Sequence, residues 1–183
     1  MNTSYLFLAE GFEEIEALAT VDILRRAGMV VETVSITSVR EVSGAHGIKV
    51  TADRTVGEIN GTAAHWLILP GGLPGATNLA ACEPLTAMLK KQVAEGLCVA
   101  AICASPAMVL APLGLLKGKR ATCYPGCEAA CESQEFTGQP VEVDGQIVTG
   151  KGPGFTFRFA LAIVEKTLGK DAASQVAAGM LLS

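Results

Sequence analysis

A cysteine among small residues is the first candidate for chemistry in this 183-residue sequence. In the segment VAAICASPAMVL, Ala101 lies two residues before Cys103 and Ser105 lies two residues after it. Small residues at these positions are the steric requirement of a nucleophile elbow, a sharp turn between a strand and a helix. Because free N–H groups at a helix start stabilise a thiolate, we predict a reactive Cys103 with a lowered pKa. The alternative is a small buried hydrophobic residue, which is what most free cysteines are.

Glu16 is the predicted partner of this cysteine. On a helix it shares a face with Thr20 and Ile23, so its carboxyl group points into apolar surroundings, where burial raises its pKa. A protonated carboxyl group can donate a hydrogen bond to a thiolate, whereas an ionised one repels it. Glu13 and Glu14 can instead stabilise the helix start as negative charges. The alternative, in which all three glutamates are only first-turn charges at the positive end of the helix dipole, stays open.

A glycine-containing turn, Leu69-Pro70-Gly71-Gly72, follows another apolar run. Gly71 and Gly72 can bring backbone N–H groups close to a ligand because no Cβ is in the way. Together with the cysteine turn, these N–H groups predict an oxyanion site.

The elements that must position these residues follow from the hydrophobic pattern. Strands are predicted at 4–9, 30–36, 65–69 and 97–102, with a hairpin formed by 141–143 and 147–149 around Asp144-Gly145. Helices are predicted at 13–26, 83–95, 155–168 and 171–180, with a short helix after Cys103. Strands that alternate with helices predict parallel crossovers, and therefore an α/β domain with a mostly parallel sheet. We expect one domain over residues 1–183.

The predicted first helix is apolar on more than one side. One side is expected to face the sheet. The other side is expected to face either a second subunit or another part of the same chain.

Composition excludes several classes of protein. The net charge is −4, from 18 acidic and 14 basic residues, and no basic cluster extends beyond a pair, so no nucleic-acid footprint is visible. No run reaches the roughly 18 apolar residues of a membrane span, and the N-terminus lacks the basic region of a signal peptide. The six cysteines are unevenly spaced, which favours reduced thiols and a cytoplasmic location.

Several motifs in matching order give the chain a family resemblance. They are EEIEA at 13–17, VDILRRAG at 21–28, LPGG at 69–72, AAICASPA at 100–107, GPG at 152–154 and FALAIVE at 159–165. With these motifs the sequence resembles the DJ-one/ThiJ/PfpI superfamily, in the branch of the parkinsonism-associated deglycase. The resemblance implies a flavodoxin-like three-layer homodimer with helices on both faces of the sheet. It also implies Cys103 as an oxidation-prone nucleophile, Glu16 as its protonated partner, and the N–H groups of Gly72 and Ala104 as stabilisers of an oxyanion or a sulfinate.

Two histidines of related branches are missing. Tyr124 stands where some members carry a histidine near the cysteine, so a Cys-His dyad is not expected. Ala104 stands where the peptidase-like branch has a histidine, which removes most support for peptidase activity. His46, in a glycine-rich turn, and His65, at a strand start, are interpreted as structural or exposed.

Extra thiols lie on both sides of Tyr124 in the sequence. Cys123 would resolve a sulfenic acid on Cys103 if the two sulfurs lie within disulfide reach. Cys123, Cys127 and Cys131 are spaced by four residues and would stack on one face of a helix, but Pro125 and Gly126 interrupt the segment. Because this spacing is not that of a zinc site, no metal is predicted.

Two functions remain open. In the first, Cys103 attacks a small reactive carbonyl and Glu16 is the general acid and base, as in a glyoxalase or deglycase without a metal or organic cofactor. In the second, peroxide oxidises Cys103 to a sulfinate, and the protein is a redox sensor or redox-regulated chaperone with little turnover.

Overall fold

The computed structural model describes residues 2–59, 64–131 and 134–182. The strands are β1 (Ser4–Leu8), β2 (Val31–Ser35), β3 (Glu41–Ser43), β4 (Lys49–Thr51), β5 (Arg54–Thr55), β6 (Trp66–Leu69), β7 (Cys98–Ile102), β8 (Val141–Asp144) and β9 (Ile147–Gly150). The α-helices are α1 (Glu14–Arg26), α2 (Gly75–Ala81), α3 (Glu83–Ala94), α4 (Thr156–Leu168) and α5 (Lys170–Gly179). Within the described ranges, no helix combines the length and apolar character that crossing a bilayer requires.

A seven-stranded sheet in the order β5-β2-β1-β6-β7-β9-β8 forms the centre of the molecule. Six strands are parallel, and only β8 runs antiparallel, against β9. The predicted α/β fold with a mostly parallel sheet is therefore confirmed.

The two faces of the sheet are covered by different helices. In β1, Leu6 and Leu8 pack in a cluster with α1, α4 and α5, whereas Phe7 packs in a second cluster with α2 and α3. Because successive side chains of a strand point to opposite faces, this division is the signature of helices on both sides. Strand β6 is fully buried, as its unbroken apolar sequence predicts.

Helix α1 begins and ends where the sequence indicates. The N-cap residue is Glu13, and its carboxylate accepts the Glu16 N–H at 2.7 Å. The helix stops shortly before Gly28, which has a φ of +79°. On its outer side Ile15 and Leu18 are exposed, so the second apolar side is not covered by the described part of the chain.

The topology places a crevice at the carboxyl ends of the central strands. From β1 the chain goes outward to β2, and later elements return to β6 on the other side of β1. Open α/β sheets bind ligands at such a reversal of strand order, outside the carboxyl ends of the strands. The N-terminus of α1, the turn after β6 and the turn after β7 all lie at this edge.

Some elements were not predicted. The β3–β4 hairpin, β5 and α2 are short and rich in polar residues or glycine, so they carry little periodic signal. The short helix predicted after Cys103 is present as one π-helical turn, Pro106–Leu110. The β8–β9 loop comprises Gly145 and Gln146, one residue later than predicted, and Gly145 has a φ of +57°.

Candidate active site

Cys103 lies immediately after β7 in a conformation that is unusual for its residue type. Its φ is +65°, in the left-handed region that side chains other than glycine rarely adopt. Two backbone hydrogen bonds hold it there, from the Cys103 N–H to Gly150 O at 2.9 Å and from the Tyr124 N–H to Cys103 O at 2.8 Å. The residue is 8% exposed, so little of it reaches solvent.

The small neighbours of Cys103 allow this turn to pack tightly. Ala101 and Ser105 are both fully buried, and the Ser105 hydroxyl donates to Pro70 O at 2.5 Å. This bond ties the cysteine turn to the turn after β6. A larger residue at position 105 has no room there, as the sequence pattern indicates.

Glu16 is fully buried beside the thiol. Its Oε2 accepts the Gly71 N–H at 2.7 Å, while no hydrogen-bond partner for Oε1 is found in the described part of the chain. Burial raises the Glu16 pKa to about 7, although interactions with Gly71 and Cys103 oppose the shift. The free Oε1 leaves a place for a proton on the carboxyl group, next to the cysteine.

Gly71 and Gly72 have different contacts. The Gly71 N–H is bound to Glu16, so it orients the carboxyl group and is not free for an oxyanion. A Cβ on Gly71 would lie 2.6 Å from Cys103 Cβ, which explains the need for glycine. Gly72 has a φ of +89°, and its N–H, like that of Ala104, interacts with the Cys103 thiol.

The predicted lowering of the Cys103 pKa is wrong in this arrangement. Burial raises the pKa of the thiol, and so does the negative charge of ionised Glu16. The N–H groups of Gly72 and Ala104 act in the opposite direction but do not outweigh these two effects. The repulsion disappears when Glu16 holds a proton, so a thiolate is favoured only when the proton passes to that carboxyl group.

Tyr124 contacts Cys103 through its backbone. Its backbone N–H holds the cysteine carbonyl, its side chain is about half exposed, and its ring lies over Gly152. A cavity of about 230 Å³ opens here. Its lining residues are Tyr124, Pro125, Lys151, Gly152, Pro153, Gly154 and Phe155.

Cys123, Cys127 and Cys131 do not stack on a helix. Between Cys123 and Cys131 the regular element is a short 3₁₀ turn, Glu128–Ala130, and Gly126, with a φ of +92°, turns the chain before it. Cys123 is buried, and its Sγ lies 3.6 Å from Tyr124 O. Burial and the nearby Glu128 and Cys127 raise the Cys123 pKa to about 12, which disfavours the thiolate that a resolving cysteine needs.

A contact between Glu14 and His46 was missed by the sequence analysis. The Glu14 carboxylate is buried and accepts the His46 backbone N–H at 2.7 Å, and His46 Nδ1 lies 2.8 Å from its other oxygen. The imidazole itself is largely exposed, as expected for this histidine. No local pattern joins residues 32 positions apart, so the sequence carried no signal for this pair.

A match to a protein-family model assigns the chain to a family. The model of the DJ-1/PfpI family matches residues 3–166. The chain belongs to the DJ-1/PfpI family. The family assignment confirms the resemblance seen in the sequence motifs.

Curated relatives include plant and nematode proteins. Protein DJ-1 homolog B of Arabidopsis thaliana is 41% identical over 96% of this chain, which spans 40% of that protein. The chain spans 45% of Protein DJ-1 homolog A of the same plant. It therefore covers less than half the length of both plant proteins. A glutathione-independent glyoxalase of Caenorhabditis elegans, DJR-1.2, is 35% identical over 88% of this chain and 86% of that protein.

Solved structures of other DJ-1 proteins share the fold. Oxidized DJ-1 of Toxoplasma gondii matches with a TM-score of 0.96 and 36% identity over all of both chains. A cysteine-to-alanine mutant of a DJ-1 superfamily protein from Salmonella typhimurium matches with a TM-score of 0.95 and 36% identity, also over all of both chains. These similarities confirm the predicted flavodoxin-like architecture.

Proposed function

We propose that this protein converts small 2-oxoaldehydes, or their early adducts, to 2-hydroxy acids with Cys103 as nucleophile and Glu16 as general acid and base. The observation that carries the proposal is the convergence of the Glu16 carboxyl group and the Gly72 and Ala104 N–H groups on one strained cysteine. The similarity to a nematode glyoxalase supports the same reaction class.

The first step is attack of the Cys103 sulfur on the aldehyde carbon. Ionised Glu16 takes the thiol proton as the carbon–sulfur bond forms, and a pKa of about 7 suits a base at neutral pH. The carbonyl oxygen becomes an oxyanion, to which the N–H groups of Gly72 and Ala104 donate. Proton transfer from Glu16 to this oxygen gives a hemithioacetal.

The second step is a rearrangement of the hemithioacetal. Glu16 removes the proton from the former aldehyde carbon and returns it to the neighbouring carbon. The hydroxyl proton of the hemithioacetal passes to the oxygen on that neighbouring carbon, which gives a thioester of the 2-hydroxy acid. Water then hydrolyses the thioester, releases the acid and restores the thiol. These steps use only Cys103, Glu16, backbone N–H groups and water.

The decisive experiment measures lactate formed from methylglyoxal without glutathione or added metal. We expect lactate from wild type and none from the Cys103→Ser variant, because serine is a much weaker nucleophile in this position. Glu16→Gln should lose most of the activity, while Cys82→Ser, at a cysteine outside the site, should keep it. Equal lactate formation by wild type and Cys103→Ser would refute the nucleophile assignment.

A second function, redox sensing, is favoured by the same N–H groups. In this alternative, peroxide oxidises Cys103 to a sulfinate that Gly72, Ala104 and protonated Glu16 stabilise. The match to a DJ-1 solved in oxidized form supports it. If wild type forms no lactate but gains the mass of two oxygen atoms at Cys103 under mild peroxide, sensing is the function. A redox-regulated chaperone role would then be tested by aggregation assays with the oxidised form.

The proposal includes an assembly and a location. We propose a homodimer in the cytoplasm, with residues 1–183 forming one domain. The exposed apolar side of α1 and the family resemblance support the dimer.

A further inference from the structure

We propose that Glu13, Glu14 and His46 form a binding site for a divalent transition-metal ion beside the Cys103 site. One potential ligand atom from each of the three side chains lies within 4.8 Å of the other two. The spacing of the cysteines predicted no metal site. This site uses none of them.

The site is assembled by the hairpin between β3 and β4. The Gly11 N–H donates to Ser43 O and the Ala45 N–H donates to Phe12 O, both at 2.8 Å, so the hairpin is anchored to the segment before α1. Gly44 makes the close approach possible, because a Cβ there would lie 2.6 Å from Glu14 Cγ. His46 lies two residues after Gly44 and contacts Glu14 at the start of α1.

Among the described residues, His46 is the only basic side chain that pairs with either carboxylate. Glu13 and Glu14 are 9% and 5% exposed, and within the described residues neither forms an ion pair with a lysine or arginine. Glu13 uses Oε2 to cap the Glu16 N–H, and among the described residues no hydrogen-bond donor is found for its other oxygen. A carboxylate oxygen that has no donor among the described residues and lies within 4.8 Å of ligand atoms on Glu14 and His46 is open to a cation.

The spacing of the ligand atoms suits six-coordinate geometry. At metal–ligand distances of about 2.1 Å, adjacent ligands of an octahedral ion lie about 3 Å apart and opposite ligands about 4.2 Å apart. Glu14 Oε2 and His46 Nδ1 are 2.8 Å apart, close to the adjacent value. The ion therefore replaces the proton between these two atoms. A small movement brings Glu13 into range, and water fills the remaining positions.

The ligand set indicates the class of ion. One imidazole with two carboxylates suits borderline ions such as Mn²⁺, Fe²⁺ or Zn²⁺, whereas soft ions prefer thiolates. Mn²⁺ is the cleanest probe, because it has little affinity for the six cysteines of the chain. The bound ion would contact Glu13, whose N–H also donates to Gly71 O at 3.0 Å, next to the reactive cysteine.

The test is a titration of the full chain with Mn²⁺. Binding is measured as the decrease in the electron paramagnetic resonance signal of free Mn²⁺. We expect one saturable ion per wild-type chain. His46→Gln and Glu14→Gln should each weaken binding by tenfold or more. Glu41→Gln, which changes an exposed carboxylate on the same hairpin, should bind like wild type. Circular dichroism verifies that each variant is folded.

Two outcomes would overturn the proposal. One is the absence of saturable binding by wild type, and the other is equal affinity in wild type and folded His46→Gln. Because no carbonyl substrate is present, the result is independent of the proposed function. Cys103→Ser should retain Mn²⁺ binding while it loses lactate formation, which separates failure of one proposal from failure of the other.

Discussion

At the scale of single residues, Glu16 links the chemistry of the site to the stability of the fold. Its pKa in the folded protein is about 7, against an ordinary value of 4.5. The folded state therefore holds the Glu16 proton more tightly than the unfolded state does. The resulting stabilisation is complete below pH 4.5 and is lost as the pH rises through 7.

This shift predicts a measurable pH dependence. Between pH 4.5 and 8, ionisation of Glu16 should lower the free energy of unfolding of wild type by about 3 kcal/mol relative to Glu16→Gln. Urea unfolding of both proteins across this range, with a chelator present, measures the difference. Glu165→Gln, an exposed control, should behave like wild type. Parallel pH profiles for wild type and Glu16→Gln would contradict the raised pKa.

At the scale of elements, one side-chain hydrogen bond joins the central strand β6 to helix α4. The indole Nε1 of Trp66, the only tryptophan, donates to Thr167 Oγ1 at 2.9 Å, and the Thr167 hydroxyl donates to Ile163 O at 2.7 Å. Trp66 is fully buried, so its N–H depends on this acceptor.

Removing that acceptor should loosen the contact between β6 and α4. Thr167→Val keeps the side-chain shape but leaves the indole N–H unsatisfied, which should lower the free energy of unfolding by about 1–3 kcal/mol. Thr167→Ser keeps the hydroxyl and should lose less. Urea denaturation followed by Trp66 fluorescence compares the three proteins. A valine variant as stable as wild type would show that the N–H finds another acceptor.

The elements that sequence analysis could predict are those with a strong local pattern. The sequence predicted β6 and β7 from their unbroken apolar runs, and it predicted the start of α1. It therefore also predicted that Cys103 follows a strand. The contact between Glu14 and His46 depends on a three-residue hairpin strand packed against a distant helix, so no spacing encodes it. The sequence also could not predict that the Gly71 N–H binds Glu16 or that the Cys103 pKa is raised. Both depend on how the start of α1, the turn after β6 and the turn after β7 lie together.

At the scale of the whole molecule, the exposed side of α1 predicts association. Ile15 and Leu18 are 52% and 39% exposed on this side of a helix whose opposite side is packed in the core. We expect sedimentation velocity to give the mass of two chains at micromolar concentration. Leu18→Glu should give one chain, because a charge at the interface is left without a partner. Val39→Glu, at an exposed valine elsewhere, should remain dimeric. A one-chain mass for wild type would exclude the dimer.

The strand order also affects the protein while it is being synthesised. Strand β7 pairs with β6 on one side and with β9 on the other, and β9 supplies Gly150 O for the Cys103 N–H. A ribosome therefore completes the cysteine turn well before it adds the strand that holds it. Until then β7 is an open sheet edge, the kind of edge that recruits strands from other chains. A nascent chain paused before β9 therefore holds Cys103 at an unprotected edge, and this state ends only when residues 147–150 have been made and can pair with β7.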